Sequence, residues 1–462
     1  MSEGLVESDV LLEPLMSIGL IQSLDHEARG ITRLDGKAVF VEGALPGERV
    51  EFASFRKKPT FEIAQLVRVL SPSPARVLPK CSHFGICGGC ALQHMDPVAQ
   101  VAAKQRILED SLWHIGRVRP EYIESPVQGE PWGYRHRARL GVRCVKKPGG
   151  ILIGFHERKS NFVADIHHCA VLPAHVSELL LPLRKLIATL SNPESVPQLD
   201  IAVGEHCTAI LLRILHGLKT SDESALRGFA DRHQVSFFLQ PKGPDSAYLF
   251  YPKDGRSLSY VLPEFGLELD FLPTDFTQVN HAVNRVMLHL AMNLLAPRAG
   301  ERIADMFCGL GNFTLPIARA GANVVGVEGS AALVKRAHAN AKANGLSERT
   351  GYQVANLFEC TEKTLAKFGQ FDKMLIDPPR DGALALVRSI GARGPRRIVY
   401  VSCNPATLAR DAGVLVKEHG YRFVSARAIN MFPHTSHVES ITLFERPKKR
   451  RPMPPLVGLR LA

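Results

Sequence analysis

The strongest constraint on the fold lies between residues 302 and 446, where strand-like and helix-like segments alternate. The apolar runs RIADMFCG and NVVGVEGS are each followed by a segment of helical periodicity, NFTLPIARA and AALVKRAHANAKANG. The runs FDKMLIDPP and RIVYVSCNP continue the pattern. Such alternation predicts an α/β fold with a parallel sheet covered by helices on both faces. Two closing strands with no helix between them, YRFVSARAINMF and HVESITLFER, predict an antiparallel edge.

The composition predicts a multidomain protein with a polyanionic partner. A chain of 462 residues, 45% of them hydrophobic, is too long for one compact domain. Its 57 lysines and arginines against 45 aspartates and glutamates give a net charge of +12. This favours nucleic acid, through neutralised phosphates and released counterions. Because no apolar run reaches about eighteen residues and the start MSEGLVESDVLLEPL is acidic, we expect a cytoplasmic protein with no membrane partner.

The N-terminal part of the chain predicts a small β-barrel. From Met16 to Leu70, short alternating runs such as GKAVFVEG and ERVEFASF are separated by glycine and proline, and a Ser-Pro-Ser-Pro linker follows. This pattern is typical of an OB-like barrel. Its basic turn, Arg56-Lys57-Lys58, would suit RNA binding, although such a turn can also be an ordinary solvated surface.

A glycine-rich turn, DMFCGLGNF at 305–313, joins the first strand of the alternating region to its helix. In this position a G-x-G turn lets the backbone approach a ligand. Glu328 ends the next strand, where a carboxylate can accept hydrogen bonds from a ribose diol. Thr314 replaces the third glycine of the dinucleotide fingerprint, which favours a nucleoside without a diphosphate, such as S-adenosylmethionine. The alternative is a tight turn that binds nothing.

Reactive side chains follow two further strands. One strand ends in Asp377-Pro378-Pro379-Arg380 and the next in Ser402-Cys403-Asn404-Pro405. Ligand sites of open α/β sheets lie at the carboxyl ends of the strands, and Glu439 reaches the same edge if the last strand is antiparallel. A thiolate that adds to C6 of uracil activates C5 toward a methyl donor, and a base must then remove the C5 proton. We therefore predict Cys403 as nucleophile and Glu439 as base.

We expect nearby positive charge, with Arg380 as a candidate source, to lower the pKa of the Cys403 thiol. The alternative for a lone cysteine at a strand end is burial as a small hydrophobe.

A cysteine cluster precedes this region. Cys81, Cys87 and Cys90 lie in CSHFGICGGC, and reduced clustered thiols indicate a metal rather than disulfides. A tetrahedral zinc or a four-iron cluster needs a fourth ligand. Cys169, in DIHHCAVL, is the best candidate, with the adjacent histidines as an alternative for zinc. Neighbouring glycines favour iron without deciding the matter.

Five motifs together resemble the RNA uracil-5 methyltransferase family. They are PTDFTQVN at 273–280, DMFCGLGNF at 305–313, DPPR at 377–380, VSCNPATLARD at 401–411 and MFPHTSHVES at 431–440. The resemblance implies Cys403 as the nucleophile and Glu439 as the proton acceptor. It also implies a class I S-adenosylmethionine site formed by Gln278, Phe307, Asn312, Glu328, Asn356 and Asp377. Members with this cysteine spacing hold a [4Fe-4S] cluster, which would be ligated by Cys81, Cys87, Cys90 and Cys169.

The resemblance also suggests the substrate. Members that combine the cluster with an N-terminal TRAM domain, an OB-like barrel, act on large-subunit 23S rRNA, and AVFVEGALPGERVEF is similar to part of that domain. We therefore expect a monomeric, cytoplasmic enzyme that forms 5-methyluridine in 23S rRNA. The expected segments are a TRAM barrel at 8–70, a central α+β domain with the iron-sulfur site at 75–272, a Rossmann-like methyltransferase domain at 273–446 and a basic tail at 447–462.

Three alternatives stay open at this point. They are the same chemistry on tRNA, an iron-sulfur nicotinamide oxidoreductase and a noncatalytic RNA-binding protein. Phe276 could stack on the target base or pack in a core. The alternate arginines Arg135, Arg137 and Arg139 could contact RNA phosphates or line a solvated face.

Overall fold

The computed structural model describes residues 16–145, 150–253, 257–391 and 394–447. These residues form two six-stranded sheets, one eight-stranded sheet and one two-stranded sheet. The expected start of the barrel, residues 8–15, and residues 448–462 of the expected basic tail lie outside the described residues.

The first sheet contains the N-terminal strands in the order β1-β5-β6-β4-β3-β2. Its pairs are antiparallel except for β4 and β6, which are parallel. The alternation in ERVEFASF buries Val50 and Phe52 in a small apolar core with Val39 and Val41. The strands are β1 (Met16–Leu20), β2 (Ser23–Leu24), β3 (Gly30–Leu34), β4 (Lys37–Glu42), β5 (Arg49–Lys57) and β6 (Phe61–Ser71).

A helix and a short strand follow that belong with the C-terminal part of the fold. Helix α1 (Pro97–Ser111) begins after Asp96, whose carboxylate accepts hydrogen bonds from the Val98 and Ala99 amides at 2.9 and 3.3 Å. A π-helical turn (Leu112–Gly116) extends it, and strand β7 (Tyr122–Ile123) pairs with a strand near the C-terminus. This stretch, part of the central domain expected at 75–272, therefore packs on the last sheet.

The second six-stranded sheet has the order β13-β12-β11-β10-β8-β9. Its elements are β8 (Arg137–Cys144), β9 (Ile151–Gly154), α2 (Ala174–Ser177), α3 (Leu180–Ala188), β10 (Gln198–Val203), β11 (Thr208–Arg213), α4 (Thr220–His233), β12 (Val235–Gln240) and β13 (Tyr248–Tyr251). A two-stranded antiparallel sheet of β14 (Ser259–Leu262) and β15 (Leu267–Asp270) leads to the C-terminal region. Short 3₁₀ turns lie at Pro193–Ser195, Pro244–Ser246, Pro263–Phe265, Ser347–Arg349 and Leu357–Glu359.

The eight-stranded sheet contains the alternating region in the order β18-β17-β16-β19-β20-β22-β21-β7. Its elements are α5 (His281–Leu295), β16 (Arg302–Met306), α6 (Thr314–Arg319), β17 (Asn323–Glu328), α7 (Ala331–Ala343), β18 (Thr350–Val354), α8 (Glu362–Lys367), β19 (Lys373–Ile376), α9 (Leu384–Arg388), β20 (Arg397–Ser402), α10 (Pro405–Lys417), β21 (Arg422–Ile429) and β22 (Glu439–Glu445). Strands β16 to β20 pair in parallel, and β22 lies antiparallel between β20 and β21. The predicted parallel sheet and antiparallel edge are both present.

The strand order reverses between β16 and β19, because β17 and β18 lie to one side of β16 and β20 to the other. Such a switch point leaves a crevice at the carboxyl ends of the strands. Among the described residues, no helix has the length and apolar character needed to cross a membrane.

Candidate active site

A cavity of about 930 Å³ opens at the carboxyl ends of these strands. Its lining includes all eight residues that the sequence assigned to the cofactor and to catalysis, namely Gln278, Phe307, Asn312, Glu328, Asn356, Asp377, Cys403 and Glu439. Another part of its wall contains Gly88 to Ala91 from the cysteine segment and residues 155–158. Sequence reasoning missed this wall, because it comes from loops with no periodic pattern.

The glycine-rich turn holds Glu328 at the cavity. Gly309 and Gly311 have φ of 54° and 103°, the left-handed region that favours glycine. The Gly309 amide donates to one Glu328 carboxylate oxygen at 3.2 Å, and the Ser330 amide donates to the other at 2.9 Å. The carboxylate is thus fixed next to the turn and keeps further lone pairs for a ligand.

Thr314 has a structural role that the sequence did not indicate. Its hydroxyl donates to the Asp305 carboxylate at 2.5 Å, and both residues are fully buried. Burial raises the pKa of Asp305 to about 7, with Asp377 and Glu328 adding to the rise. A glycine at 314 would leave this carboxyl without its hydroxyl donor, so the departure from the dinucleotide fingerprint has a local reason.

The two predicted asparagines are both held by their side chains. Asn312 and Asn284 exchange reciprocal amide hydrogen bonds at 3.0 and 3.1 Å, and the Tyr260 hydroxyl donates to Asn312 Oδ1 at 3.0 Å. Asn356 accepts a hydrogen bond from the Phe358 amide at 3.1 Å. Each side chain therefore has a defined orientation at the cavity wall.

Cys403 and Glu439 are neighbours because of strand register. Ser402 at the end of β20 faces Ser440 of β22, which brings the preceding Glu439 beside Cys403. Glu439 is buried, and burial together with the Asp377 carboxylate raises its pKa to about 8. Burial also raises the pKa of Asp377 to about 7. The site thus contains a thiol and a Glu439 carboxyl that hold their protons at neutral pH, and an Asp377 carboxyl that is partly ionised there.

The expectation that the surroundings lower the pKa of the thiol is wrong for the protein alone. Burial raises the pKa of Cys403 to about 12, and Glu439 and Asp377 add to the rise, whereas Arg380 acts in the opposite direction. The Arg380 guanidinium lies 3.0 and 3.1 Å from the ring nitrogens of His437, a further cavity residue. Burial and Arg380 lower the pKa of His437 to about 4.

The candidate RNA-contacting residues differ in whether they line the cavity or bond to other parts of the protein. Phe276 is 69% exposed at the cavity, so it does not pack in a core. Arg135 also lines the cavity. Arg137 instead donates to the Pro273 carbonyl at 2.5 Å and to the Thr277 hydroxyl at 3.5 Å, which holds the loop that carries Phe276. Arg139 pairs with Asp200 at 3.0 Å. Arg137 is therefore held within the protein, whereas the Arg139 side chain stays 73% exposed although it is paired.

The four predicted ligand cysteines, Cys81, Cys87, Cys90 and Cys169, line one small cavity together. Burial raises the pKa of Cys87 to about 11 and of Cys90 to about 12, and the neighbouring cysteines contribute to both rises. Within the described ranges, no three His, Cys, Asp or Glu side chains are grouped as a site for a metal ion. Gly89, Cys90 and Phe155 line both this cavity and the larger one.

Comparison with known proteins identifies the class. Residues 267–447 match the family model described as tRNA (Uracil-5-)-methyltransferase, and residues 20–52 match that of the TRAM domain. Together with the fold and the cavity, these matches define an S-adenosylmethionine-dependent RNA uracil-5 methyltransferase, which confirms the resemblance seen in the five motifs.

Full-length relatives narrow the class. The chain is 69% identical over 432 residues to the 23S rRNA (uracil(1939)-C(5))-methyltransferase RlmD of Dechloromonas aromatica (strain RCB), covering 94% of this chain and 100% of the relative. It is 59% identical over 433 residues to the RlmD of Azoarcus sp. (strain BH72), with the same coverage of 94% and 100%. The chain therefore belongs to the RlmD family of 23S rRNA uracil-C5 methyltransferases. This membership rules out the nicotinamide oxidoreductase and the noncatalytic RNA-binding protein.

A solved structure shares the fold. It is the Pyrococcus abyssi tRNA (uracil-54, C5)-methyltransferase in complex with S-adenosyl-L-homocysteine, with a TM-score of 0.71 and 24% identity over 93% of this chain and 100% of that chain. At this identity the likeness concerns the fold alone.

Proposed function

We propose that this protein methylates C5 of one uridine in 23S rRNA, the position that its relatives' names give as 1939. The observation that carries the proposal is the convergence of Cys403, Glu439 and Asp377 at one edge of the cavity that also contains the glycine-rich turn. We further propose that the protein acts as a monomer in the cytoplasm.

The cofactor site uses the residues held around the turn. Glu328, which two backbone amides hold in place, would accept hydrogen bonds from the ribose diol. Phe307, Asn356, Gln278, Asn312 and Asp377, which line the same cavity, would hold the rest of the cofactor. S-adenosylmethionine, when bound, supplies an electrophilic methyl group and a positive charge. That charge lowers the pKa of nearby acidic groups, which offsets the burial of Cys403 and Glu439.

The chemistry begins at Cys403. Its thiolate would add to C6 of the uracil, and the electron pair displaced to C5 would take up the methyl group as the S–CH3 bond of S-adenosylmethionine breaks and S-adenosylhomocysteine leaves. Arg380 favours the thiolate, since it is the group that lowers the Cys403 pKa. Glu439 then accepts the C5 proton, the C5–C6 double bond re-forms and Cys403 leaves C6 as a thiolate.

RNA binding must bring the base out of its stack, because C6 cannot reach Cys403 otherwise. Phe276, exposed at the cavity, offers a ring on which a flipped base can stack. Arg135 at the same cavity offers a phosphate contact. The TRAM region adds a sequence-independent contact through the exposed basic end of β5, Arg56 to Lys58.

Cys81, Cys87, Cys90 and Cys169 are proposed to hold a [4Fe-4S] cluster. The donor set fits, because four thiols line one cavity and iron-sulfur clusters take four cysteine thiolates. The Gly89 amide lies 3.4 Å from Cys87 Sγ, the kind of donor that stabilises a thiolate ligand. When bound, the cluster would cross-link residues 81–90 to Cys169. Iron and sulfide analysis of anaerobically purified protein and of Cys169→Ser tests this assignment.

The mechanism is tested with RNA that carries 5-fluorouridine at the target position. Because fluorine cannot be removed as a proton is, we expect wild-type protein to form a covalent adduct that survives denaturing electrophoresis. Cys403→Ala should form none, and methylation by this variant would refute the nucleophile. On ordinary uridine, Glu439→Gln should accumulate a methylated adduct, and its rapid release would remove Glu439 from the role of base.

The substrate is tested separately. We expect 23S rRNA from a deletion strain to lack one 5-methyluridine, and purified protein to restore it. Restoration of a 5-methyluridine in tRNA instead would overturn the rRNA assignment.

A further inference from the structure

The loop between β21 and β22, residues 430–438, leads directly into Glu439. Much of it is buried, including Asn430, Met431 and His434. His434 has φ of 63°, a left-handed conformation that a non-glycine residue adopts only where the surroundings hold it. The loop's shape must therefore be fixed by contacts from outside it.

Helix α1 supplies the first set of these contacts. The ammonium of Lys104 donates to Asn430 Oδ1 and to the Phe432 carbonyl, each at 2.8 Å. The side-chain carbonyl of Gln100 accepts the His434 backbone N–H at 2.8 Å, and its amide nitrogen lies 3.1 Å from His434 Nδ1. Two side chains one helical turn apart thus bond three residues of the loop.

The cysteine segment and its neighbours supply the second set. The backbone amides of Ala91 and Leu92, which directly follow Cys90, donate to the His434 carbonyl at 2.7 and 2.9 Å. The Trp132 ring stacks on His434 with 3.9 Å between centroids. His434 is therefore the point where the cysteine segment, helix α1 and the catalytic loop meet.

Two side chains of α1, Gln100 and Lys104, are polar at buried positions where packing alone would favour apolar residues. Lys104 is 2% exposed and Gln100 is fully buried, and placing an amine and an amide there costs free energy that an apolar residue would not. Burial accordingly lowers the pKa of Lys104 to about 7. Both side chains direct their polar atoms to the loop, with Gln100 also donating to the Leu92 and Met95 carbonyls.

We propose that Gln100 and Lys104 are positioning residues that clamp the 430–438 loop, so that Glu439 stays aligned with the C5 proton of the methylated adduct. Through Ala91 and Leu92 the same clamp connects the cysteine segment to the catalytic base. This inference rests on the proposed role of Glu439. The clamp should act on proton removal, the step after methyl transfer, because the loop leads into Glu439. The nucleophile Cys403 follows a different strand, β20, and not this loop.

The test compares Lys104→Met with Lys373→Met, a matched buried lysine. Lys373 is also 2% exposed and bonds Glu301 at 2.7 Å, but it begins β19 at the end of the strand away from the cavity. Rapid-quench reactions on ordinary uridine RNA with saturating S-adenosylmethionine measure formation and release of the adduct on denaturing gels. Hydrogen exchange of residues 430–438 reports the loop directly.

We expect Lys104→Met to slow adduct release about tenfold, as a displacement of under about 1 Å at a reacting group can do, with adduct formation little changed. Exchange in the loop should rise. Lys373→Met, even if equally destabilised, should release the adduct at the wild-type rate. Gln100→Met should behave like Lys104→Met, and it replaces that variant if Lys104→Met does not fold.

Equal adduct release in the clamp variants and in Lys373→Met would overturn the inference, and so would an unchanged exchange rate in the loop. The Glu439→Gln variant shows whether such a result refutes the clamp alone or the proposed role of Glu439 as well. If Glu439→Gln accumulates adduct and the clamp variants do not, only the clamp is refuted. If Glu439→Gln also releases adduct normally, the proposed role of Glu439 is refuted.

Discussion

The buried carboxyl of Glu439 should destabilise the folded protein as the pH rises, and Glu439→Gln should remove this effect. Burial and Asp377 raise the pKa of Glu439 from 4.5 to about 8. Above pH 4.5 the unfolded chain releases this proton, whereas the folded protein keeps it until about pH 8. The unfolded state is therefore favoured increasingly across that window, and stability falls with rising pH.

The magnitude follows from the width of the window. At about 1.4 kcal/mol per pH unit, the full rise corresponds to about 5 kcal/mol, of which about 2 kcal/mol falls between pH 6 and pH 8. Asp377 titrates in both proteins, but it interacts with Glu439, so the difference between the two proteins includes the interaction of the pair. We expect the free energy of unfolding of Glu439→Gln, relative to wild type, to increase by about 2 kcal/mol between pH 6 and pH 8.

Urea unfolding of the protein without RNA or methyl donor, followed by tryptophan fluorescence at several pH values, measures this difference. Ser440→Ala is the control, since it alters the adjacent buried position without removing an ionisable group. Its difference from wild type should stay constant with pH. A Glu439→Gln difference that is equally constant would show that the carboxyl is ionised in the folded state and would refute the electrostatic account of the site.

Three further outcomes are expected. Arg380→Met should slow trapping of 5-fluorouridine RNA about tenfold, equally at pH 7 and at moderately higher pH, because the guanidinium lowers a Cys403 pKa that stays far above this range in both proteins; trapping at the wild-type rate would contradict this cause. Phe276→Ala should weaken RNA binding in a filter assay by about 1–3 kcal/mol, the value of one stacked base, while the melting temperature stays near wild type because the ring is exposed. Thr314→Val should lower the free energy of unfolding, measured by urea denaturation, by about 1–3 kcal/mol, since it leaves the buried Asp305 without its hydroxyl donor. Thr314→Ser keeps the hydroxyl and should retain most of the wild-type stability.

The sequence predicted the C-terminal sheet well because periodicity and strand ends carry the information. Parallel strands place their carboxyl ends at one edge, so motifs such as DPPR and SCNP could be brought together without coordinates. The RNA contacts were harder to predict. Three arginines at alternate positions look equivalent in the sequence, yet Arg137 holds the Phe276 loop and Arg139 pairs with Asp200. The difference depends on partners far away in the chain.

The packing of helix α1 and β7 on the last sheet had no signal in the sequence. Helix α1 and β7 follow the cysteine segment in the chain but pack on the last sheet, since Gln100 and Lys104 bond to a loop that is more than 300 residues away. Buried polar positions of this kind look like ordinary surface residues of an amphipathic helix until the partner is known.

The sequence by itself determined the class of fold and the family, and it is the source of the proposed reactive groups, because these depend on local periodicity and on residue types at strand ends. Only the tertiary structure decided the electrostatic state of those groups. Arg380 alone suggested a thiol with a lowered pKa, but burial beside two carboxyls outweighs that one charge. The tertiary structure also decided that the cysteine segment and helix α1 both bond His434 in the loop 430–438. Hydrogen bonds between such distant segments exist only in the folded chain.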